Sequence, residues 1–152
     1  MKTYYYDLNQ QDDGSLELCK TNEIPDIYII DSFDSFEAVV RNTVFRQNKA
    51  EEYCYMFTVN CVQIVTGICE ISHGAVNFAI MRPREVFIRA LMLGACGIFV
   101  VHNHPAGSIK PSEEDLRSCN RLKQSGEILG VPLLDFGILG KEFISFENEN
   151  LL

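Results

Sequence analysis

The sequence predicts a single α/β domain in which helices flank a mixed β-sheet. A length of 152 residues and a hydrophobic content of 47% are ordinary for one globular domain that buries its own core. Short apolar segments typical of strands alternate with three segments of helical periodicity. Some neighbouring strands are close enough in sequence for hairpins and others are separated by a helix, which favours a mixed sheet covered by helices.

The N-terminal part begins with two strand-like segments, 2–8 and 15–20, separated by the turn residues 10–14. We expect residues 1–27 to form a hairpin laid against the domain, and a loose arm is the alternative. A short strand-like run at 27–30 then leads into the main domain, which we expect to occupy residues 28–152.

The first helix is expected from about 34 to 47, because Asp31-Ser32 offers an N-cap and apolar residues from Phe36 to Val44 share one face. Branched and aromatic residues then predict strands at 53–59, at 63–72 and at about 75–80.

The second helix is expected to begin at Arg82-Pro83, with proline in its first turn, and to end near Gly94. The apolar run 97–101 predicts a buried strand, and the last helix is expected from Ser112 to about Leu129. Two closing strands follow, at 131–139 and 143–146.

Charge and composition limit the classes of function. A net charge of −8 gives the surface as a whole no electrostatic attraction for a phosphate backbone. A local basic patch around Arg82, Arg84 and Arg89 is the exception left open.

The cellular compartment is inferred from what the sequence lacks. No apolar run approaches the ~18 residues that a membrane helix requires, and the first seven residues lack the apolar core of a secretion signal. We therefore expect a cytoplasmic chain whose six scattered cysteines are reduced and structural (Cys19, Cys54, Cys61, Cys69, Cys96 and Cys119).

The segment after the buried strand predicts a metal site. Residues i and i+2 of an extended segment point the same way, so His102 and His104 can face one ion while Asn103 faces away. Pro105 and Gly107 bend the chain, which lets Asp115 reach back from the next helix. Two imidazoles and one carboxylate leave a fourth tetrahedral position for water, as in catalytic rather than structural zinc sites.

A second interpretation of this segment requires no metal. Ser112 and Asp115 have the spacing of a helix N-cap and an acidic third residue, so they can form an analogue of the capping box. The two interpretations are compatible for Ser112, and the paired histidines favour the metal.

The pattern His102-x-His104, seven residues, Ser112-x-x-Asp115 resembles the JAMM metalloprotease motif of the JAB/MPN superfamily. The segments 82–87 and 102–107 resemble its bacterial RadC-like branch, and the likeness extends from about residue 28 to the end. It implies a JAB/MPN fold of cytidine-deaminase-like architecture and Zn²⁺ as the cofactor.

The resemblance also implies catalytic roles for Glu52 and Ser112. From composition alone, Glu51 and Glu52 are solvated charges at a strand entrance, and only the resemblance selects Glu52 as the general base. In the implied mechanism Glu52 takes a proton from a zinc-activated water and returns it to a leaving amine, while Ser112 hydrogen-bonds the oxyanion. RadC-like chains usually carry Leu-Asp-His near the closing strands, whereas this chain has Phe136 in place of the histidine.

These inferences lead to a zinc-dependent, metallopeptidase- or isopeptidase-like hydrolase that acts on a protein or peptide. The alternative is a catalytically weak domain that binds a protein or nucleic acid through the same cleft, such as a DNA-repair accessory protein. The net charge of −8 gives the nucleic-acid role little support.

Overall fold

A seven-stranded mixed sheet forms the centre of the molecule, with helices on both faces, as predicted. The computed structural model describes residues 2–74 and 81–152. The strands are β1 (Thr3–Gln10), β2 (Leu16–Ile24), β3 (Glu52–Val59), β4 (Val65–Gly74), β5 (Gly97–Asn103), β6 (Leu133–Leu139) and β7 (Phe143–Ser145). The helices are α1 (Phe33–Asn42), α2 (Pro83–Met92) and α3 (Glu113–Leu129).

The strand order is β2-β1-β4-β3-β5-β6-β7, which places β5 inside the sheet. The β1–β4 and β5–β6 pairs are parallel, and the other neighbouring pairs are antiparallel. Helix α3 connects the parallel strands β5 and β6, so the site-bearing end of β5 faces the start of that crossover helix.

The N-terminal hairpin extends the main sheet. Its first strand pairs in parallel with β4, with Tyr4 opposite Gly67 and Tyr5 opposite Ile68. The hairpin is therefore hydrogen-bonded to the domain and is not a loose arm. The domain boundary expected after residue 27 stays a prediction.

Two segments between β2 and β3 are shorter than predicted. The run 27–30 contributes only a single bridge, between Ile29 and Ile64, because its backbone bonds to the β3–β4 turn over too few residues for a ladder. Helix α1 starts at the predicted cap, Ser32, but ends at Asn42 rather than near 47. The Thr43 hydroxyl donates to Val39 O at 2.5 Å, and the Thr43 backbone leaves helical geometry. The strand predicted at about 75–80 lies outside the described residues.

The sheet separates two hydrophobic cores. One core packs against α1 and includes Phe36, Phe57 and Phe99, while the other contains residues of α2 and α3 with Val100 and Phe136. Successive residues of β5 alternate between these cores. The same alternation decides which side of the sheet each residue at the end of β5 faces.

Two of the six cysteines are bonded, so the expectation that all are reduced is wrong for this structure. Cys61 and Cys96 form a disulfide with a Cα–Cα distance of 5.3 Å, although 35 residues separate them. They meet because β3 and β5 are antiparallel partners, which brings the turn after β3 beside the residue before β5. This proximity depends on the sheet and has no signature in the cysteine spacing.

Three of the four free cysteines are buried, as predicted for structural thiols, whereas Cys19 is half-buried. Cys54, Cys69 and Cys119 are buried, and burial raises the pKa of all three, to about 12 for Cys69 and Cys119. None of the helices in residues 2–74 and 81–152 is long and apolar enough to cross a membrane.

Thiol labelling tests this arrangement. In the native protein, we expect Cys54, Cys69 and Cys119 to resist alkylation at neutral pH, because burial blocks access and suppresses the thiolate, whereas the half-buried Cys19 reacts. Denatured but non-reduced protein should take up four labels, one for each free cysteine. Uptake of six labels under those conditions would contradict the disulfide, and intact-mass spectrometry measures the count.

Candidate metal centre

The end of β5 brings two imidazoles together. Strand β5 continues to Asn103, so His102 lies within the strand rather than just after it, and its side chain is fully buried. The Nε2 atoms of His102 and His104 are 3.0 Å apart. The predicted alternation is confirmed, because Asn103 binds the backbone of residues 51 and 53 and takes no part in this pair.

Helix α3 adds a carboxylate to the two imidazoles. Asp115 lies in the first turn of the helix and is buried. Its Oδ1 is 3.1 Å from His102 Nε2, and its Oδ2 is 3.4 Å from His104 Nε2. The structure therefore brings together His102, His104 and Asp115, the three residues that the sequence predicts as ligands.

The capping interpretation of Ser112 is confirmed. The Ser112 hydroxyl oxygen accepts from the Asp115 N–H at 3.1 Å, and Asp115 Oδ2 accepts from the Ser112 N–H at 2.7 Å. This capping box fixes the carboxylate that faces the histidines, so one motif starts the helix and orients a candidate ligand. The cap uses a lone pair of the Ser112 oxygen, which keeps its O–H as a donor.

Glu52 lies on the neighbouring strand β3, at its first residue. The carboxylate is buried, and its Oε1 is 3.9 Å from His102 Nε2. Glu52, His102 and His104 offer ligand atoms that all lie within 4.8 Å of one another. Glu51 is exposed, so of the two adjacent glutamates it is Glu52 that faces the site.

The donor atoms have the spacing that a small divalent cation requires. Ligand atoms that share a tetrahedral zinc ion at about 2.0–2.1 Å lie about 3.3 Å from one another. Two separations are close to the edges of such a tetrahedron, namely 3.0 Å between the two Nε2 atoms and 3.1 Å between His102 Nε2 and Asp115 Oδ1. The other carboxylate oxygen, Oδ2, lies 3.4 Å from His104 Nε2. Glu52, at 3.9 Å from His102 Nε2, is set further back. The residues present therefore fit a metal such as zinc.

A hydrogen bond sets the orientation of the His104 ring. His104 Nδ1 lies 3.0 Å from Ser108 O, and because a carbonyl only accepts, Nδ1 carries the hydrogen. In the neutral ring the Nε2 lone pair then faces the site, which is the tautomer that a metal requires.

The charges of the site are coupled. The hydrogen bond to Asp115 raises the pKa of His104, against the opposing effect of burial. For Asp115, burial alone would raise the pKa, but hydrogen bonds with His102 and His104 outweigh it and hold that pKa far below the ordinary range. A metal ion must therefore compete with a proton for His104 Nε2.

His102 has different support from His104. Its ring packs against Phe136, with centroids 5.5 Å apart, and its buried Nδ1 has no hydrogen-bond partner among the described residues. Phe136 is itself fully buried and packs on Phe146. Phe136 therefore supports the His102 ring by packing only. A histidine at position 136 would add a polar atom next to that ring.

One contributor that the sequence analysis missed is Gly140, just after β6. A Cβ at this position would meet the backbone carbonyl oxygen of Ser108 and lie 2.7 Å from that of Gly107. The 104–108 loop lies here because His104 N–H donates to Leu139 O and Lys141 N–H donates to Gly107 O. The need for glycine at position 140 becomes visible only when the 104–108 loop packs against the residues after β6. In the sequence, a glycine just past a strand is only a weak signal of close packing.

Together these features define a class, namely an α/β domain with a candidate metal site at the end of a central strand. The RadC-like JAB domain family model matches residues 30–151, and the chain belongs to this family. The predicted family and its JAB/MPN-like α/β fold are thereby confirmed.

Curated relatives agree with this assignment. The chain is 39% identical over 128 residues to the UPF0758 protein of Clostridium novyi, covering 84% of this chain and 55% of the relative. It is 36% identical over 131 residues to the UPF0758 protein of Clostridium acetobutylicum, covering 80% of this chain and 57% of the relative. The chain thus spans little more than half the length of these two relatives.

Substitution of Gly140 tests how the loop supports the site. Gly140→Ala is expected to push the Ser108 carbonyl away from His104 Nδ1 and to weaken zinc binding about tenfold or more, since lost outer hydrogen bonds typically cost that much. Chelator competition measures the affinity. Ser108→Ala is the matched control, because it keeps the backbone carbonyl and should bind zinc as the unaltered protein does. Equal affinity in both variants would contradict the proposed support.

Proposed function

We propose that the protein is a zinc-dependent hydrolase of the JAMM type that cleaves a peptide or isopeptide bond in a protein or peptide substrate. The observation that carries this proposal is the placement of Glu52. Its carboxylate faces the same point as His102, His104 and Asp115 but is 3.9 Å from His102 Nε2, whereas Asp115 is 3.1 Å away. The greater distance favours the role of a base beside a metal ion, although Glu52 and the two histidines also offer ligand atoms within 4.8 Å of one another.

The proposed ligands are His102, His104 and Asp115. A bound zinc ion would supply Lewis acidity toward the substrate carbonyl and lower the pKa of water at its open position. The capping box and the His104–Ser108 hydrogen bond hold two of the three ligands before any ion binds. Little reorganisation is then needed on binding, which favours affinity.

Glu52 is the proposed proton carrier. A water molecule that attacks the carbonyl carbon must lose a proton, and Glu52 is the buried carboxylate placed to accept it. When the carbon–nitrogen bond breaks, the amine requires a proton, which Glu52 returns. The carboxylate thus ends the cycle in its starting form.

Ser112 is the proposed donor to the carbonyl oxygen. It is exposed at the start of α3, next to the buried Asp115. Its O–H can donate to the oxygen that gains negative charge as the carbonyl is attacked. The positive end of the α3 dipole lies at the same place and favours the same charge.

A catalytically weak binding domain is the second candidate, and Phe136 is the observation in its favour. The buried His102 Nδ1 has no partner among the described residues, so the imidazole lacks the outer acceptor that usually supports a metal-bound histidine. Such a domain would bind a protein or nucleic acid through the same cleft without efficient turnover.

Replacement of Glu52 by glutamine in the zinc-loaded chain tests the proposal. Glu52→Gln should keep stoichiometric zinc yet lower turnover of a cleavable peptide or isopeptide by about 10²-fold or more, because the amide cannot accept the proton. The adjacent, exposed Glu51→Gln is the matched control and should retain activity. Peptide and isopeptide libraries, screened by mass spectrometry, supply the substrate.

Three outcomes would count against the proposal. A purified protein that binds no zinc after reconstitution would remove its basis. A Glu52→Gln variant with full activity would show that another group is the base. If Glu52→Gln loses zinc and Asp115→Asn keeps it, the two carboxylates have the opposite roles.

A further inference from the structure

Asn103 joins the two candidate ligands to the strand that carries Glu52. It lies between His102 and His104 and is buried, with 5% of its surface exposed. Its Oδ1 accepts from the Tyr53 N–H at 2.7 Å, and its Nδ2 donates to the Glu51 carbonyl oxygen at 2.9 Å. One side chain therefore bonds the residues on both sides of Glu52.

These two bonds hold the backbone of Glu52 itself. The Glu51 carbonyl belongs to the peptide group that precedes the Glu52 Cα, and the Tyr53 N–H belongs to the peptide group that follows it. Fixing both planes fixes φ and ψ of Glu52, because these are the only soft backbone torsions of a residue. The direction in which the carboxylate leaves the strand is then fixed as well.

The strand ladder does not supply this restraint from the β5 side. The register of β3 with β5 ends at the pair Cys54–His102, so residues 51–53 lie beyond the last backbone pair of these strands. The Asn103 amide extends the pairing past that point with one donor and one acceptor. A primary amide suits this role, because it presents both groups at one end of a short side chain.

We propose that Asn103 is a positioning residue that couples Glu52 to the metal ligands. His102 and His104 would hold the ion on one side of the sheet, and Asn103 holds the backbone on both sides of Glu52 from the other side. On the β4 side the same backbone is held by the pairing of Glu52 with Gly74 and of Tyr53 with His73. The catalytic part of this inference rests on the proposed function, whereas the restraint on residues 51–53 does not.

Two substitutions separate the bonds of Asn103. Asn103→Asp keeps the acceptor for Tyr53 N–H but places a carboxylate oxygen opposite the Glu51 carbonyl, and Asn103→Leu removes both bonds while keeping the number and branching of the side-chain heavy atoms. Asn60→Leu is the matched control. Asn60 Oδ1 accepts from the Val62 and Ile64 amides at the other end of β3, so this variant also removes the bonds of a backbone-bound asparagine, but far from Glu52.

The first measurement is amide hydrogen exchange by NMR on the zinc-loaded full chain. We expect Asn103→Leu to speed exchange of the Tyr53 amide about tenfold or more, with zinc affinity changed by less than about threefold. Asn60→Leu should leave the exchange rate of the Tyr53 amide unchanged. If Tyr53 exchanges at the original rate in Asn103→Leu, the positioning proposal is wrong whether or not the protein is an enzyme.

The second measurement is a double-mutant cycle with Glu52→Gln on a cleaved substrate. Asn103→Leu and Asn103→Asp should lower kcat about ten- to a hundredfold with little change in KM, and should cause no further loss when Glu52 is already Gln. An unchanged kcat, or an equal loss in both backgrounds, would show that Asn103 is only structural. Absence of turnover in the unaltered protein would instead count against the proposed function, and the exchange data would still decide the restraint.

Discussion

The alternation of side chains at the end of β5 is the constraint on which the site depends. His102 and His104 point to the face covered by α3, and Asn103 points to the opposite face. Because β5 lies between β3 and β6, a shift of register by one residue would exchange these faces and disperse the donors. A shift would also exchange side chains of different size between two close-packed cores, because Phe99 packs on Phe36 in one core and Val100 lies in the other. The core and the site therefore favour the same register.

The site also shows how structural and chemical roles share the same residues. The Ser112–Asp115 capping box would exist without any metal, since it satisfies amides at the start of α3. The same bonds place the Asp115 carboxylate 3.1 Å from His102 Nε2. The capping role and the proposed ligand role are therefore compatible in the folded chain, as the sequence predicts for Ser112.

Local signals predicted much of this structure, and non-local contacts account for what was missed. The three helices, the buried strand β5 and the grouping of His102, His104 and Asp115 followed from periodicity, capping residues and spacing. The Cys61–Cys96 bond and the need for Gly140 depend on segments that meet only after the sheet forms. The sequence predicts that the Asn103 side chain points away from the two histidines, but it does not predict the two backbone hydrogen bonds of that side chain. Glu52 is selected only by the family resemblance.

X-ray absorption spectroscopy of the zinc-loaded protein tests the central proposal that His102 and His104 bind one ion. The account predicts nitrogen or oxygen neighbours at about 2.0–2.1 Å and outer scattering from two imidazole rings, one of which is lost in His104→Ala. Sulfur neighbours at about 2.3 Å, or a spectrum without imidazole scattering, would contradict it.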